Sequence, residues 1–417
     1  MTGPGAVGST PDEAGPGEAG PDGAARAATR PGAAGEPPRL VLGVDSGGSG
    51  LRVALAPVGA REAAVTASAR QPVRTGPGGI DAAHLRELLL PLVRGLPGPW
   101  GGDVRPAAVV IGAAGLATLG DRLRAELPGA LEADLGVRRL GLAADAVTAY
   151  AGALGQAPGV VVAAGTGMIA LGTDLRTWRR ADGWGHLLGD CGGGAWIGRA
   201  GLEAALRAHD DRSGGSRALL ERMEAVFGPA ASLPGLLYPR SDRPAVLASF
   251  APEVARCAAA GDTVAAGIMA RAAGEIADTA AAAAPVGAGG PDRAASSRAR
   301  TPGDERPPGA HAGHSGGPEA DDGVRGADNG VRGADNGVRG ADNGVRVAVT
   351  GGLTRTGEAL TAPLRAALAQ RLPGARLVPA AGDPLTGALL LAEALATDSL
   401  RLPPHPSMLH LYDGTGR

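Results

Sequence analysis

The fold is decided by the segment Leu40-Val-Leu-Gly-Val-Asp-Ser-Gly-Gly-Ser-Gly-Leu-Arg-Val-Ala-Leu55. Its first five residues are almost all apolar, which predicts a strand buried on both faces, and the alternation from Leu51 onward predicts a second strand. The glycines between them permit a tight turn whose N–H groups can surround phosphate oxygens, and Asp45 can hold a hydrated Mg²⁺ beside it. Taken alone, the segment is equally compatible with an ordinary β-hairpin in which Asp45 begins the turn.

Composition limits the possible function classes. The chain has 417 residues, 44% of them apolar, and a net charge of −2, which predicts a large core and argues against binding to nucleic acid or to an anionic membrane. It contains no lysine, so a Walker-type phosphate loop is excluded and any phosphate-binding cation must be an arginine or a metal. Cys191 and Cys257 have no metal-type spacing, and without a signal peptide or long apolar span we expect a reduced, cytoplasmic protein.

Changes in composition divide the chain. Residues 1–38 contain almost no large apolar side chains and predict a disordered tail. Residues 285–345 carry the repeated heptapeptide Gly-Val-Arg-Gly-Ala-Asp-Asn, which has too few apolar positions for a coiled coil and predicts a disordered insertion. We expect an N-terminal lobe over 39–158, a C-terminal lobe over 159–400 that contains the insertion, and a loose tail over 401–417.

Strands and helices alternate through both expected lobes, which indicates an α/β fold with parallel strands. Asp81 is a candidate N-cap for the first helix, and Asp383 followed by Pro384 is a strong start signal for the last. Helices are predicted over residues 81–94, 119–134, 201–208, within 217–284, 356–370 and 384–395, and further strands over 106–112, 138–143, 160–170 (two strands and a turn), 347–350 and 375–379.

Asp145 lies where a predicted strand ends and a helix begins. One interpretation is a helix N-cap, the usual role of an aspartate at such a junction. The other is a functional carboxylate, because ligands of open α/β sheets bind at the carboxyl ends of the strands. The two roles are compatible.

Three further glycine motifs follow. Gly165-Thr-Gly167 joins two apolar strands in the manner of the first hairpin, and Gly351-Gly352 ends another strand. The segment Gly183-Trp-Gly-His-Leu-Leu-Gly-Asp190 continues into Cys191-Gly-Gly-Gly194, a glycine density that is typical of a backbone in close contact with a ligand. A flexible loop fixed to the core by its tryptophans is the alternative.

Together these segments resemble the BadF/BadG/BcrA/BcrD ATPase family, whose best-known sugar-acting members are N-acetylglucosamine kinases. The resemblance covers most of residues 39–400, apart from the insertion, and the motifs occur in the family's order. It implies the two-lobed actin-like ATPase fold, shared by sugar kinases, heat-shock proteins and actin, with ATP in a central cleft. The segments that carry it are Val44–Ser49, Ala144–Ala146, Ala164–Gly167, Gly183–Asp190 and Thr350–Gly352.

The resemblance also implies roles for individual residues. Asp145 would be the general base and would contact the acceptor, and Asp45 would be a Mg²⁺ ligand, directly or through water. ATP phosphates would be bound by Gly47, Gly48, Ser49, Gly165, Thr166 and Gly167, the adenosine by Gly351 and Gly352, and the sugar by Gly183, Trp184, Gly185 and Asp190. We expect ATP and Mg²⁺ as cofactors and a small sugar as partner, with no nucleic acid and no membrane; a homodimer remains open.

The departures from the family pattern fall in the sugar pocket. The chain has Asp190-Cys-Gly-Gly193 where relatives usually have Asp-Glu-Gly-Ser, and Gly165-Thr-Gly-Met168 where they have Gly-Thr-Gly-Ser. Every asparagine lies in the heptapeptide repeats, so none is available to bind a sugar hydroxyl. The leading hypothesis is therefore ATP-dependent phosphorylation of an N-acetylglucosamine-like or glucosamine-like hexose. Alternatives are a redox-activator ATPase that uses Cys191 and Cys257, and a non-catalytic sensor of ATP or sugar.

Overall fold

The computed structural model describes residues 38–48, 50–76, 79–97, 104–285 and 344–414. Within these ranges the strands are β1 (Leu40–Gly47), β2 (Gly50–Pro57), β3 (Val65–Ala69), β4 (Thr75–Gly76), β5 (Gly79–Ile80), β6 (Ala108–Ala113), β7 (Arg139–Ala144), β8 (Gly159–Ala164), β9 (Met168–Thr173), β10 (Trp178–Asp182), β11 (Arg346–Thr350), β12 (Arg376–Val378) and β13 (Leu409–Asp413).

The α-helices in the same ranges are α1 (Ala82–Arg94), α2 (Leu116–Leu119), α3 (Asp121–Leu135), α4 (Asp145–Leu154), α5 (Gly194–His209), α6 (Arg217–Phe227), α7 (Leu233–Leu237), α8 (Arg243–Ser249), α9 (Ala251–Ala259), α10 (Thr263–Ala283), α11 (Glu358–Arg371) and α12 (Pro384–Ala396). Most predicted helices are present, and both proposed caps are confirmed: Asp81 accepts a hydrogen bond from the His84 N–H at 3.0 Å, and Asp383 accepts one from the Thr386 N–H at 2.9 Å.

The first sheet is built on the predicted hairpin. Its strand order is β13-β7-β6-β1-β2-β3, and β1, β6 and β7 run parallel, so that their carboxyl ends meet at one edge. The side chains of Leu40 to Val44 are buried, as a strand covered on both faces requires.

The C-terminal segment corrects one prediction. Residues 401–417 were expected to be loose, but β13 pairs antiparallel with β7 along the sheet edge, and Leu402 and Leu409 are buried. The strand is short and proline-flanked, so its apolar pattern alone is weak; its stability comes from pairing with a strand that lies far away in sequence.

The second sheet has the order β10-β9-β8-β11-β12, with β8, β11 and β12 parallel. Helices α5 to α11 pack beside it in one apolar cluster. Helix α5 begins at Gly194, not at residue 201 as predicted, because its glycines serve helix packing: a Cβ on Gly198 would clash with the carbonyl oxygen of Leu247 in α8. Strand β10 was not predicted.

Helices α4 and α12 connect the two sheets. They share another apolar cluster with residues of both sheets, including Val41 and Val110 from the first and Val161 and Ala348 from the second. A Cβ on Gly43 of β1 would clash with the backbone of Leu389, so α12 lies directly on β1. The described residues from Arg39 onward belong to one structural unit, and the division into lobes at residue 158 stays a prediction. The predictions for residues 1–37 and 286–343 lie outside the described residues.

Candidate active site

Asp145 is the first residue of α4 and directly follows the last residue of β7. The expected N-cap role is wrong by one residue, since Ala144 occupies the cap position and has no side chain to donate or accept. One Asp145 carboxyl oxygen, Oδ1, accepts a hydrogen bond from the Ala146 N–H at 2.9 Å. Because a carboxylate has about four acceptor sites, this bond leaves capacity for a ligand hydroxyl.

A second carboxylate, that of Asp45, lies at the same sheet edge. In the parallel register Asp45 pairs with Gly112, and Gly112 pairs with Ala143, so a single strand separates the Asp45 and Asp145 ends. Asp145 is accessible to solvent, but desolvation by the protein around it raises the pKa of its carboxyl, and the nearby Asp45 charge adds to this effect. The Ala146 N–H and the Arg180 charge act in the opposite direction without reversing it. Asp145 is therefore a stronger base than an ordinary aspartate.

Asp145 lines a recess of about 110 Å³ between the two sheets. The wall on the side of the first sheet includes Gly115 and Thr118, and the other wall includes Ile169, Arg180 and Gly183. The structure thus brings Asp145 and Gly183 together. This volume is below the roughly 300–1,000 Å³ typical of small-molecule sites, so a hexose at Asp145 would extend to the open rim.

The remaining predicted sugar residues follow Gly183 directly, in a segment over residues 184–191 that we call the rim segment. Trp184 is 67% exposed, with the Arg180 guanidinium 4.9 Å from its ring centroid, and neither Trp184, Gly185 nor Asp190 lines the recess itself. Leu187 and Leu188 beside them are also exposed. The rim is therefore an apolar surface open to solvent.

The rim segment is held in shape by two aspartates. The Asp182 carboxylate accepts hydrogen bonds from the Asp190 N–H at 2.7 Å and from the Cys191 N–H at 3.0 Å. Asp190 in turn accepts one from the Gly185 N–H at 3.0 Å, and burial, with the Asp182 charge, raises its pKa. Asp190 thus organises the segment in this structure, and direct contact with sugar stays a prediction.

Arg180 and Asp182 are site residues that the sequence analysis missed. Arg180 donates to the carbonyl oxygens of Asp182 at 3.1 Å and of Gly183 at 2.6 Å, which fixes its guanidinium at the recess wall. Both residues belong to β10, an edge strand with two arginines and no fully buried residue. Their position directly before Gly183 was the available signal.

The turn Gly165–Gly167, which is predicted to bind phosphate, packs against the start of α5. The N–H groups of Gly194 and Ala195 donate to the carbonyl oxygens of Gly165 and Thr166, at 2.9 and 2.8 Å, and Thr166 is exposed. A Cβ on Gly167 would clash with the Asp190 carboxylate, so this turn also contacts the rim segment. The predicted phosphate and sugar motifs are therefore adjacent here.

The adenosine motif lies beside this turn. Gly351 follows β11, the parallel neighbour of β8, and has a φ of +100°, where any Cβ would also clash with the Ala164 carbonyl. The first turn differs: a Cβ built on Gly47 or Gly48 would have no atom of the described residues within 4 Å, so the backbone is open on that side. Ser49 lies outside the described residues.

Asp45 is suited to Mg²⁺ only in combination with other ligands. Its Oδ2 atom accepts hydrogen bonds from Arg52, whereas Oδ1 accepts none from the residues that the structure describes. Among the described residues, no group of three or more His, Cys, Asp or Glu side chains is arranged to hold a metal. Mg²⁺ commonly keeps several waters and binds one or two carboxylates plus substrate phosphates, and a single carboxylate at this edge fits that coordination.

The two cysteines differ in their burial. Cys257 is 6% exposed inside the apolar cluster of the second sheet, whereas Cys191 is partly buried at the rim segment. Burial raises the pKa of both thiols, which disfavours the reactive thiolate form.

The chain is similar to proteins named as N-acetylglucosamine kinases. A protein from Chromobacterium violaceum provisionally assigned as an N-acetylglucosamine kinase is 25% identical, with a TM-score of 0.54 over 85% of this chain and 99% of that one. One from Porphyromonas gingivalis with the same assignment is 17% identical, with a TM-score of 0.53 over 86% and 99% of the two chains. An N-acetylmuramic acid/N-acetylglucosamine kinase from Clostridium acetobutylicum is 40% identical over 78 residues, 18% of this chain and 25% of that protein.

These structural neighbours confirm the predicted fold. They have the actin-like ATPase fold of sugar kinases. The match to the curated kinase spans only a quarter of that protein's length. None of the helices in the described ranges is both long and apolar enough to cross a membrane. The family match extends over residues 42–293, and the chain belongs to the BadF/BadG/BcrA/BcrD ATPase family.

Proposed function

We propose that the protein is an ATP-dependent kinase that phosphorylates a hydroxyl of an amino sugar, an N-acetylglucosamine-like or glucosamine-like hexose. The observation that carries the proposal is the position of Asp145, a carboxylate of raised pKa that lines a recess between two sheets beside Gly183. Family membership and the kinases among the relatives support the same reaction class.

In the proposed reaction the acceptor hydroxyl oxygen attacks the γ-phosphorus of ATP. The bond between that phosphorus and the β–γ bridging oxygen breaks, ADP leaves, and the hydroxyl proton passes to the Asp145 carboxylate. Phosphoryl transfer depends mainly on positioning and charge stabilisation, with a carboxylate to orient the attacking hydroxyl. The raised pKa suits Asp145 to this role, because a general base works best when its pKa approaches the working pH.

The nucleotide would lie along the glycine turns. Gly47 and Gly48 offer open backbone to the phosphates, and Thr166 offers an exposed hydroxyl. The adenosine would lie against Gly351 and Gly352, at the neighbouring strand end. Mg²⁺, held by Asp45 and the phosphates, would neutralise phosphate charge. Without lysine in the chain, backbone N–H groups, arginine and this metal supply the positive charge.

The burial of Cys257 argues against the redox-activator alternative. A redox activator that shares an iron–sulfur cluster needs cysteine thiolates accessible at one surface. Cys257 is instead packed among apolar side chains, and its raised pKa disfavours the thiolate. The non-catalytic sensor remains a second candidate, since the sugar-pocket residues depart from the family pattern at Met168, Cys191 and Gly193.

An ADP-release assay over a panel of hexoses and amino sugars tests the proposal. We expect ADP release that depends on at least one amino sugar and that is lost in Asp145→Asn. Tight ATP binding without transfer to any acceptor would favour the sensor instead. Full activity in Asp145→Asn would remove Asp145 as the base.

A further inference from the structure

Arg52 forms a fork between two carboxylates from distant parts of the chain. Its Nε and Nη2 atoms donate to Asp45 Oδ2 at 3.0 and 2.6 Å, and its Nη1 atom donates to Asp383 Oδ2 at 2.6 Å. All three guanidinium nitrogens are thus engaged, and the Asp45 side chain is only 16% exposed. Such planar, charge-assisted bonds fix orientation as well as distance.

Both carboxylates that Arg52 contacts are held in place by secondary structure. Arg52 and Asp45 are directly opposite each other in the antiparallel β1–β2 pair. Asp383 caps α12, where its Oδ1 atom accepts bonds from the Thr386 N–H at 2.9 Å and the Thr386 hydroxyl at 2.8 Å. The guanidinium therefore bridges two carboxylates that are positioned by different elements.

The fork leaves the two Asp45 oxygens unequal. Oδ2 receives both bonds from Arg52, whereas Oδ1 receives none from any residue that the structure describes. Turning the Asp45 carboxylate would break two charge-assisted bonds, so Arg52 selects one rotamer and keeps Oδ1 available.

We propose that Arg52 is a positioning residue for the magnesium–nucleotide complex. It holds Asp45 so that Oδ1 can meet the hydrated Mg²⁺ of bound ATP, and through Asp383 it ties this carboxylate to α12. The inference rests on the proposed function insofar as it assumes nucleotide binding at the first glycine turn. It does not depend on which sugar is the acceptor.

The test is a Mg²⁺ titration of thermal protection by ATP, without any sugar. Loss of a residue that orients a metal ligand typically weakens metal binding about 10- to 100-fold. We expect Arg52→Met to need at least about tenfold more Mg²⁺ for half-maximal protection. Arg52→Lys should lie between Arg52→Met and wild type, because a lysine cannot reproduce the fork.

Arg86→Met is the matched control. Arg86 donates through Nε and Nη2 to a single oxygen of Asp134, both at 2.8 Å, with similar exposure, but the pair joins α1 to α3. Arg86→Met should lower the melting temperature without changing the Mg²⁺ concentration needed for half-maximal protection by ATP. An unchanged Mg²⁺ half-point in both Arg52 variants would overturn the inference. A wild-type protein that ATP fails to protect at any Mg²⁺ concentration would instead contradict the proposed function.

Discussion

Substitution of Asp182 should change the conformation of the rim segment without changing the catalytic carboxylate of Asp145. Its carboxylate accepts the N–H groups of Asp190 and Cys191, at 2.7 and 3.0 Å, and it has a φ of +58°. Asp182→Ala removes both acceptors while leaving Asp145 and the glycine turns unchanged. We expect the segment that follows Gly183 to lose its fixed shape.

The size of the effect follows from these two bonds. A hydrogen bond to a charged group contributes about 1.5–3 kcal/mol. Because the released N–H groups lie near the surface and regain water, we take this range for both bonds together. The loss corresponds to a decrease of about 10- to 150-fold in kcat/KM for the acceptor. The KM for ATP should change little, since the glycine turns keep their own backbone bonds.

Steady-state ADP release with acceptor and ATP varied separately measures both constants. Asp174→Ala is the matched control: Asp174 accepts the N–H groups of Arg176 and Thr177, at 2.9 and 2.8 Å, before the opposite end of β10. It should leave the acceptor constants unchanged. Wild-type kcat/KM for the acceptor in Asp182→Ala, or an equal decrease in Asp174→Ala, would refute the proposed role of Asp182.

Four further outcomes are expected. Because the pKa of Asp145 is raised, the acidic limb of a pH–rate profile of kcat/KM should lie at a higher pH than for a base with an ordinary aspartate pKa. A raised folded-state pKa contributes stability only at low pH and loses it as pH rises through that pKa, so Asp145→Asn should melt no lower than wild type at pH 7. Gly351→Ala, which places a Cβ at a φ of +100° against the Ala164 carbonyl, should lower the melting temperature and weaken thermal protection by ATP. Removing residues 404–417 should lower the melting temperature by several degrees, because β13 would be lost; an unchanged value would restore the prediction of a loose tail.

Much of the fold follows from local sequence signals. The hairpin β1–β2, the strand ends that carry Asp145 and Gly351, and the caps of α1 and α12 were all predictable from apolar runs, glycines and capping aspartates. Each of these signals is contained within a few neighbouring residues. Elements that depend on distant partners were the ones predicted incorrectly, as with β13 and the start of α5.

The candidate site was predictable in its composition more than in its geometry. Asp145 and Gly183 do share one recess, but Arg180 and Asp182 were missed because β10 is a half-buried edge strand with a weak apolar pattern. The role of Arg52 depends on Asp383, which is far away in sequence. Sequence spacing contains no signal for such a contact.

Transfer of a labelled γ-phosphate from ATP to the sugar that the acceptor panel selects is the decisive test of the proposed kinase activity. We expect a labelled sugar monophosphate with the wild-type protein and about a 10²- to 10⁴-fold lower rate with Asp145→Asn, at an unchanged affinity for ATP. Label released only as inorganic phosphate would show that the protein is not a sugar kinase, and a sugar phosphate formed equally fast by Asp145→Asn would show that Asp145 is not the base.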